Sequence, residues 1–228
     1  MSLDPDRLAL YHYAHLPHVF KPQRRIDTAA VPGSEEKLDM LQYCVQTLTE
    51  RGYVFIGMDH FAKPDDELSV ALEEGLLQRN FQGYSTYADC DLVAIGVSSI
   101  GKIGNTYSQN ERDIDAYYAA IDEGRLPIMR GYQLNQDDIL RRNIIQDLMC
   151  RFALDYRVYE DISGTPFDRY FKDELADLEK LADLGLVSLN DQGLTVTPKG
   201  RFLIRNIAMV FDYHLRHKET RAKYSQTV

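Results

Sequence analysis

Gly57-Met58-Asp59-His60-Phe61-Ala62, Asn80-Phe81-Gln82-Gly83-Tyr84-Ser85-Thr86 and Asp91-Leu92-Val93-Ala94-Ile95-Gly96-Val97-Ser98-Ser99-Ile100 are the stretches that decide the fold. Two apolar segments that read as buried strands run out into polar, glycine-bearing loops, with a polar-aromatic segment between them. Rigid strands beneath and reactive loops at their ends make the rim of an α/β site. Upstream, Leu8 to Tyr13 reads as a first strand, ended by His15-Leu16-Pro17. Residues 16–33 read as a loop broken by Pro17, Pro22, Pro32 and Gly33. Ser34 then caps a helix with Glu35 and Glu36 in its first turn, an apolar stripe of Leu38, Leu41, Val45 and Leu48, and Gly52 at its close. Tyr53 to Ile56 is the second strand, with Asp59-His60-Phe61 just past its end. Asp65 or Asp66 starts another helix, residues 78–90 form a loop, and Leu92 to Val97 is a third strand, apolar enough to be buried on both faces. Strand–helix–strand–helix–strand predicts parallel pairing with crossover helices. Three strands cannot close a barrel, so residues 1–105 read as a piece of a larger α/β domain.

From about residue 106 the pattern turns helical, over Asp113–Glu123, Asp137–Phe152 and Phe167–Leu184. Two short strands then flank Asn190-Asp191-Gln192-Gly193, and a last helix carries Phe202, Leu203, Ile207, Val210 and Phe211. Helices followed by a two-stranded ribbon predict a winged-helix-like domain over 106–228. The fold class is therefore α/β followed by mainly α. The tail from Lys218 is polar and expected to fray.

Composition narrows the function. The chain has 228 residues, is 44% hydrophobic and 27% charged, and carries a net charge of −9. That suits a globular protein with a sizeable core and argues against a general nucleic-acid binder. No apolar run is long enough to span a bilayer, and the N-terminus lacks the features of a secretory signal. Cys44, Cys90 and Cys150 are far apart, which argues against a disulfide framework or a metal site and for inert, buried thiols in a reducing, cytoplasmic setting. A strand this close to the start reads as cut from a longer protein, with Met1-Ser2-Leu3 as a cloning remnant.

Asp59-His60 reads either as an acid–base pair or as a capping Asp beside a packed His. His12, His15 and His18 cross a strand end and a proline loop, so their spacing fixes no metal geometry. Gln82 is neutral and cannot act as a general base, leaving a hydrogen-bonding role or a solvent-facing one. Gly96 and Gly101–Gly104 lack the Lys-Ser/Thr partner of a phosphate loop.

Tyr13-Ala14-His15-Leu16-Pro17, Gly57–Ala62, Asn80–Tyr84 and Thr197-Pro198-Lys199-Gly200-Arg201-Phe202-Leu203-Ile204-Arg205-Asn206-Ile207 resemble the later half of the oxygen-independent coproporphyrinogen III oxidases, radical S-adenosylmethionine enzymes of haem biosynthesis. The resemblance runs over nearly the whole chain and implies the last strands of a radical (βα) barrel over 1–105, with the winged-helix-like domain covering the substrate site. In that family a [4Fe–4S] cluster and S-adenosylmethionine generate a radical that leads to oxidative decarboxylation of two propionates of coproporphyrinogen III to vinyls. By matching words, the resemblance implies that Ala14 contacts a second S-adenosylmethionine, Ile100 a first, and that Gln82 bears on activity. Ala14 and Ile100 also fall at the C-terminal ends of predicted strands. The family's Cys-x-x-x-Cys-x-x-Cys run is missing, so this chain is expected to hold no iron, retain no cofactor and be inactive alone. Arg141-Arg142, Arg201 and Arg205 could meet the polyanionic substrate, or be surface arginines. The electron donor is not identifiable, no membrane or nucleic-acid partner is expected, and exposed edges make self-association plausible. Two rivals remain, a winged-helix binding module whose basic helix carries Arg201, Arg205, Arg216 and Lys218, and a haem-chaperone-like relative.

Overall fold

The computed structural model describes residues 3–87 and 90–217. Met1, Ser2 and the tail from Lys218, Lys218 of the basic helix included, lie outside the described residues. The chain is mixed α/β. Its first part holds β1 (Arg7–Ala9), α1 (Ser34–Glu50), β2 (Val54–Gly57), β3 (His60–Ala62), α2 (Glu67–Glu73), β4 (Gln78–Asn80), β5 (Gly83–Ser85), β6 (Ile100–Ile103) and β7 (Thr106–Asn110). There follow α3 (Ile114–Asp122), β8 (Ile128–Gln133), α4 (Gln136–Arg151), β9 (Ala153–Asp155), α5 (Tyr156–Ser163), α6 (Phe167–Tyr170), α7 (Lys172–Asp183), β10 (Val187–Asn190), β11 (Gly193–Val196), α8 (Pro198–Arg201), α9 (Ile204–Ala208) and α10 (Tyr213–Arg216).

Among the described residues every strand pair is antiparallel, which corrects the expectation of parallel pairing. β1 and β2 do run the same way around α1, but β3 lies between them. The two loops expected after strands are tight hairpins. β2 turns through Met58-Asp59 straight into β3, with a bulge between Phe55 and Gly57 and Met58 in the left-handed region at φ 53°. β4 turns through Phe81-Gln82 into β5. Polar residues in these words are therefore hairpin residues: Asp59 lies in the turn just past β2, but His60 and Phe61 already belong to β3.

Leu92–Val97 is not a buried strand. It makes one bridge, Leu92 with Lys102, and leaves Val93 66% and Ile95 84% exposed. Its course is set by a side chain: Asn110 Nδ2 donates to the carbonyls of Ala94 (3.3 Å) and Gly96 (2.9 Å). Several main-chain groups here are bonded without a ladder, so apolar composition alone cannot make a strand. A sheet of β6, β7 and β8 takes its place, its first hairpin turning at Gly104-Asn105, a turn signal that the sequence does carry. The first strand is shorter than expected, ending at Ala9 rather than Tyr13, and Gly33, not Ser34, is the residue before α1. Asp66 caps α2 by accepting from Leu68 N at 2.8 Å, and Asp113 caps α3.

The later helices form as expected, with a break at Phe171 between α6 and α7 and the last helix split around Phe202-Leu203. β9 adds a third strand to the β10–β11 ribbon, in the order β10-β11-β9. Leu140, Ile144 and Leu148, one face of α4, meet Ile56, Ala62, Leu77 and Tyr84 from the first part and Phe167, Phe171, Leu178, Ile204, Ile207 and Phe211 from the last, all in one buried cluster. Leu48, Tyr53 and Phe61 form a smaller one under α1. Tyr156 stacks on Phe167 with ring centroids 4.0 Å apart.

Two arginines tie these layers together. Arg141 Nε donates to Asp137 (2.8 Å), while its Nη1 donates to Glu174 of α7 (2.8 Å) and to the Phe211 carbonyl (3.3 Å). Arg201 Nη2 donates to the carbonyls of Phe55 (2.9 Å) and Ile56 (3.4 Å) on β2, with its guanidinium over the Phe152 ring at 4.3 Å. Neither is a surface arginine.

Asp138, 8% exposed, closes the capping box of α4. Burial pushes its carboxyl up, but donation from Asn135 N (3.1 Å) and Tyr132 Oη (3.0 Å), with His214 Nε2 at 2.9 Å, outweighs burial and holds it below its ordinary 3.8. A depressed folded value gives stability that is present above the unfolded value and lost as pH falls through the folded one. Asp138→Asn is expected to be less stable near neutrality and less sensitive to acid below about pH 4; equal acid limbs in urea titrations of the two proteins would rule this out. At Gly200 an added Cβ would run into the Leu186 carbonyl, which is main chain and cannot step aside. Gly200→Ala is expected to cost about 2 kcal/mol, read as a lowered urea midpoint.

Candidate functional site

A cleft of about 600 Å³ opens between residues 78–87 with 90–92, the β6–β7 hairpin and the helices α4 and α9. α4 serves both sides of this boundary. Its Leu140–Ile144–Leu148 face goes to the core, and Arg142, Gln146 and Met149, again near helical spacing, line the cleft. Gln146 Nε2 reaches across to Gln78 Oε1 at 3.2 Å. Phe81, at the β4–β5 turn, meets the Tyr107 ring of β7 edge-on at 5.4 Å, so the turn is seated against the hairpin opposite. Arg79, Lys102, Arg142 and Arg205 bring four cationic side chains to the lining, against the carboxylates of Asp91 and Asp212.

Beside the cleft lies a second polar cluster. His60 Nδ1 is 2.6 Å from Asp59 Oδ1, and both side chains are largely shielded from solvent. The His60 ring meets Tyr84 edge-on at 5.3 Å and Tyr11 at 6.3 Å. Tyr84 Oη donates to the Met149 carbonyl at 2.9 Å, and burial pushes its phenol far above the ordinary value of 10.0. The Arg79 guanidinium lies 4.7 Å from the Tyr84 ring centroid. The hairpin turn and the α4 helix thus hold one another through Tyr84. Asp59 caps no helix; the cap of α2 is Asp66.

Gln82 occupies the β4–β5 turn, its N–H donating to Asn80 Oδ1 at 2.8 Å and its side chain exposed. Ile100 is partly buried and begins β6, paired with Gln109, so it stands at a strand start and not at a strand end. Ala14 lies on the exposed loop five residues past β1, its carbonyl accepting from Gln23 Nε2 at 3.1 Å; it does not end a strand either. The Gln82 turn and the β6–β7 hairpin are brought together through Phe81 and Tyr107. Ala14 follows Tyr11, whose ring faces His60.

Arg142 and Arg205 face the cleft, whereas Arg141 and Arg201 are consumed in structural bonds. Sequence reading missed Arg79 and Lys102. Arg79 directly precedes Asn80–Tyr84 and Lys102 lies two residues after Ile100, so cations beside the distinctive words of an acidic chain were the available signal. The cysteines stay apart and free: Cys150 is buried, its thiol pushed by burial up to about 12, but Cys44 is half-buried and Cys90 exposed at the cleft, which corrects the expectation of three buried thiols. Among the described residues no group of three or more His, Cys, Asp or Glu is placed to hold a metal.

Residues 134–203 match the family described as the HemN C-terminal domain. Over its whole length the chain is 48% identical to the oxygen-independent coproporphyrinogen III oxidase of Salmonella typhimurium, covering 50% of that protein. To that of Thermostichus vulcanus it is 45% identical, covering 97% of this chain and 68% of the relative. The solved structure of coproporphyrinogen III oxidase (HemN) from Escherichia coli, described as a radical SAM enzyme, superposes with a TM-score of 0.89 at 50% identity, over 94% of this chain and 49% of that one. The chain thus spans about half the length of the Salmonella and Escherichia coli proteins.

The Gly57–Tyr84 contact can be tested directly. An added Cβ at Gly57 would stand 2.5 Å from Tyr84 Oη and 3.1 Å from the Phe152 ring. Gly57→Ala is expected to lose about 2 kcal/mol, and the Gly57→Ala/Tyr84→Phe double variant less than the sum of the two single losses. Strict additivity in urea unfolding would show that the hydroxyl is not the obstacle.

Proposed function

The chain belongs to the oxygen-independent coproporphyrinogen III oxidase family, and from that premise we propose that it forms the C-terminal half of such an oxidase. The whole enzyme would decarboxylate two propionates of coproporphyrinogen III to vinyls, in the cytoplasm. Residues 1–105 would supply the last part of a radical barrel, and residues 106–228 a winged-helix-like domain closing over the substrate and excluding water. Support for the second part comes from the order α4, β9, α5–α7, β10, β11, with β9 joined to the ribbon. What carries the reading is identity of 44–49% across the chain in relatives of the same name, together with the close superposition.

S-adenosylmethionine supplies radical chemistry in the whole enzyme. The partly buried apolar side chain of Ile100 and the exposed main chain at Ala14 suit contacts to an adenosyl group, and Gln82 offers an amide at the neighbouring turn. The residues do not fit an iron–sulfur cluster. Cys150 is buried as a thiol, and the three cysteines are not gathered. Cluster ligation would therefore belong to the other half of the whole enzyme. Exposed strand edges such as β8, all of whose residues are exposed, would favour self-association of the chain by itself.

A fusion of this chain behind the cysteine-bearing first half of the Escherichia coli relative tests the reading. Assayed without oxygen, with S-adenosylmethionine and coproporphyrinogen III, the fusion is expected to form the divinyl product and the chain alone none. Gln82→Ala is expected to lower the fusion's rate at least tenfold while leaving its circular dichroism unchanged. A folded, cluster-loaded fusion that produces no vinyl groups beside an active Escherichia coli control would refute the assignment.

A further inference from the structure

We propose that the cleft beside α4 is a polycarboxylate subsite, in which Arg142 and Arg79 take propionate groups of the tetrapyrrole, with Lys102 and Arg205 contributing further positive charge. The identity of the anion rests on the family reading above; the anion preference itself rests on the site. Arg79 Nη1 and Arg142 Nη1 are both shielded from solvent, yet neither has a hydrogen-bond partner among the described residues. A buried donor left unpaired costs roughly 1–3 kcal/mol, more when charged. Two such donors lining one cleft mark a place built for an acceptor, and the planar guanidinium fork matches a carboxylate.

The surrounding charges agree. Four cations line the cleft against two carboxylates, in a chain whose net charge is −9. Both carboxylates are already engaged as backbone caps: Asp91 Oδ1 accepts from Gly104 N (2.7 Å) and Asp212 Oδ1 from Leu215 N (2.9 Å). Arg79 is held in place over the Tyr84 ring, which is itself tied to the Met149 carbonyl, so little side-chain freedom remains to be lost on binding. Apolar lining from Phe81, Leu92, Tyr107, Met149 and Met209 suits the flat faces of a macrocycle, and about 600 Å³ lies within the usual range for a ligand of that class.

The test is fluorescence titration of the chain with coproporphyrin III, a stable macrocycle with the same four propionates. Etioporphyrin III, which has none, and S-adenosylmethionine, which has a single carboxylate, are the comparison ligands. Coproporphyrin III is expected to bind at least tenfold more tightly than etioporphyrin III and to weaken as salt rises. Arg142→Ala and the closer-shaped Arg142→Gln are each expected to weaken it at least tenfold, and so is Arg79→Ala. Arg130→Ala, on exposed β8, is expected to change nothing. Tight binding that ignores the Arg79 and Arg142 variants would overturn the subsite and leave the family assignment standing. Failure of the folded chain to bind coproporphyrin III would also overturn it, while the fusion assay judges the family assignment separately. Competitive displacement of coproporphyrin III by S-adenosylmethionine would reassign the arginines to the cofactor's carboxylate and so overturn the tetrapyrrole assignment.

Discussion

One buried guanidinium conditions the rest of this structure. Arg201, at the end of α8, crosses to the end of β2 and donates to the Phe55 and Ile56 carbonyls. The guanidinium lies over the rings of Phe152 and Phe55, 4.3 Å and 5.4 Å from their centroids. Burial pulls its acidity toward the neutral form, but an arginine starts so high that it remains a cation. Its Nε finds no partner among the described residues, a cost that the two carbonyl bonds and the ring contacts offset. β2 carries the turn at Gly57-Met58, which packs on Tyr84, which in turn is bound to α4. The Asp59–His60 pair and one wall of the cleft therefore inherit their positions from a residue near the other end of the chain.

Sequence reading recovered the elements governed by local chemistry. Asp66, Asp113 and the Asn190–Gly193 turn act where short polar side chains and glycine say they should. α4 could be placed from its period alone, because Leu140, Ile144 and Leu148 repeat at helical spacing. The sheets were harder. Strand direction depends on the partner, and no residue in Val54–Gly57 says that β3 rather than another parallel strand will lie alongside. Leu92–Val97 misled for a related reason: its apolar residues match a buried strand, but Asn110, thirteen residues past Val97, supplies the bonds that hold its main chain irregular.

The words of the sequence pointed toward the cleft but its charges did not. Phe81 and Lys102 line it, while Gln82, Ile100 and Ala14 are not among its lining residues. Among the arginines the sequence offered no means of separation. Arg141 and Arg142 are consecutive, yet a helix turns its side chains by about 100° per residue, so one enters the Asp137–Glu174 ion cluster while the other faces the cleft. Only the packing of α7 against α4 decides which is which. A similar division separates Arg201, spent on main-chain carbonyls, from Arg205, four residues later in α9, at the cleft.

The shared core has a bearing on how the chain is made. Ile56 and Leu77 belong to one buried cluster with Ile204, Ile207 and Phe211, so the first part cannot finish its interior until residues 204–211 have been translated. At ordinary rates of synthesis that leaves unfinished apolar surface on the nascent chain for on the order of ten seconds. A protein wired in this way would lean on the ribosome and its attendant chaperones, and a stop before residue 204 would remove side chains that complete the core.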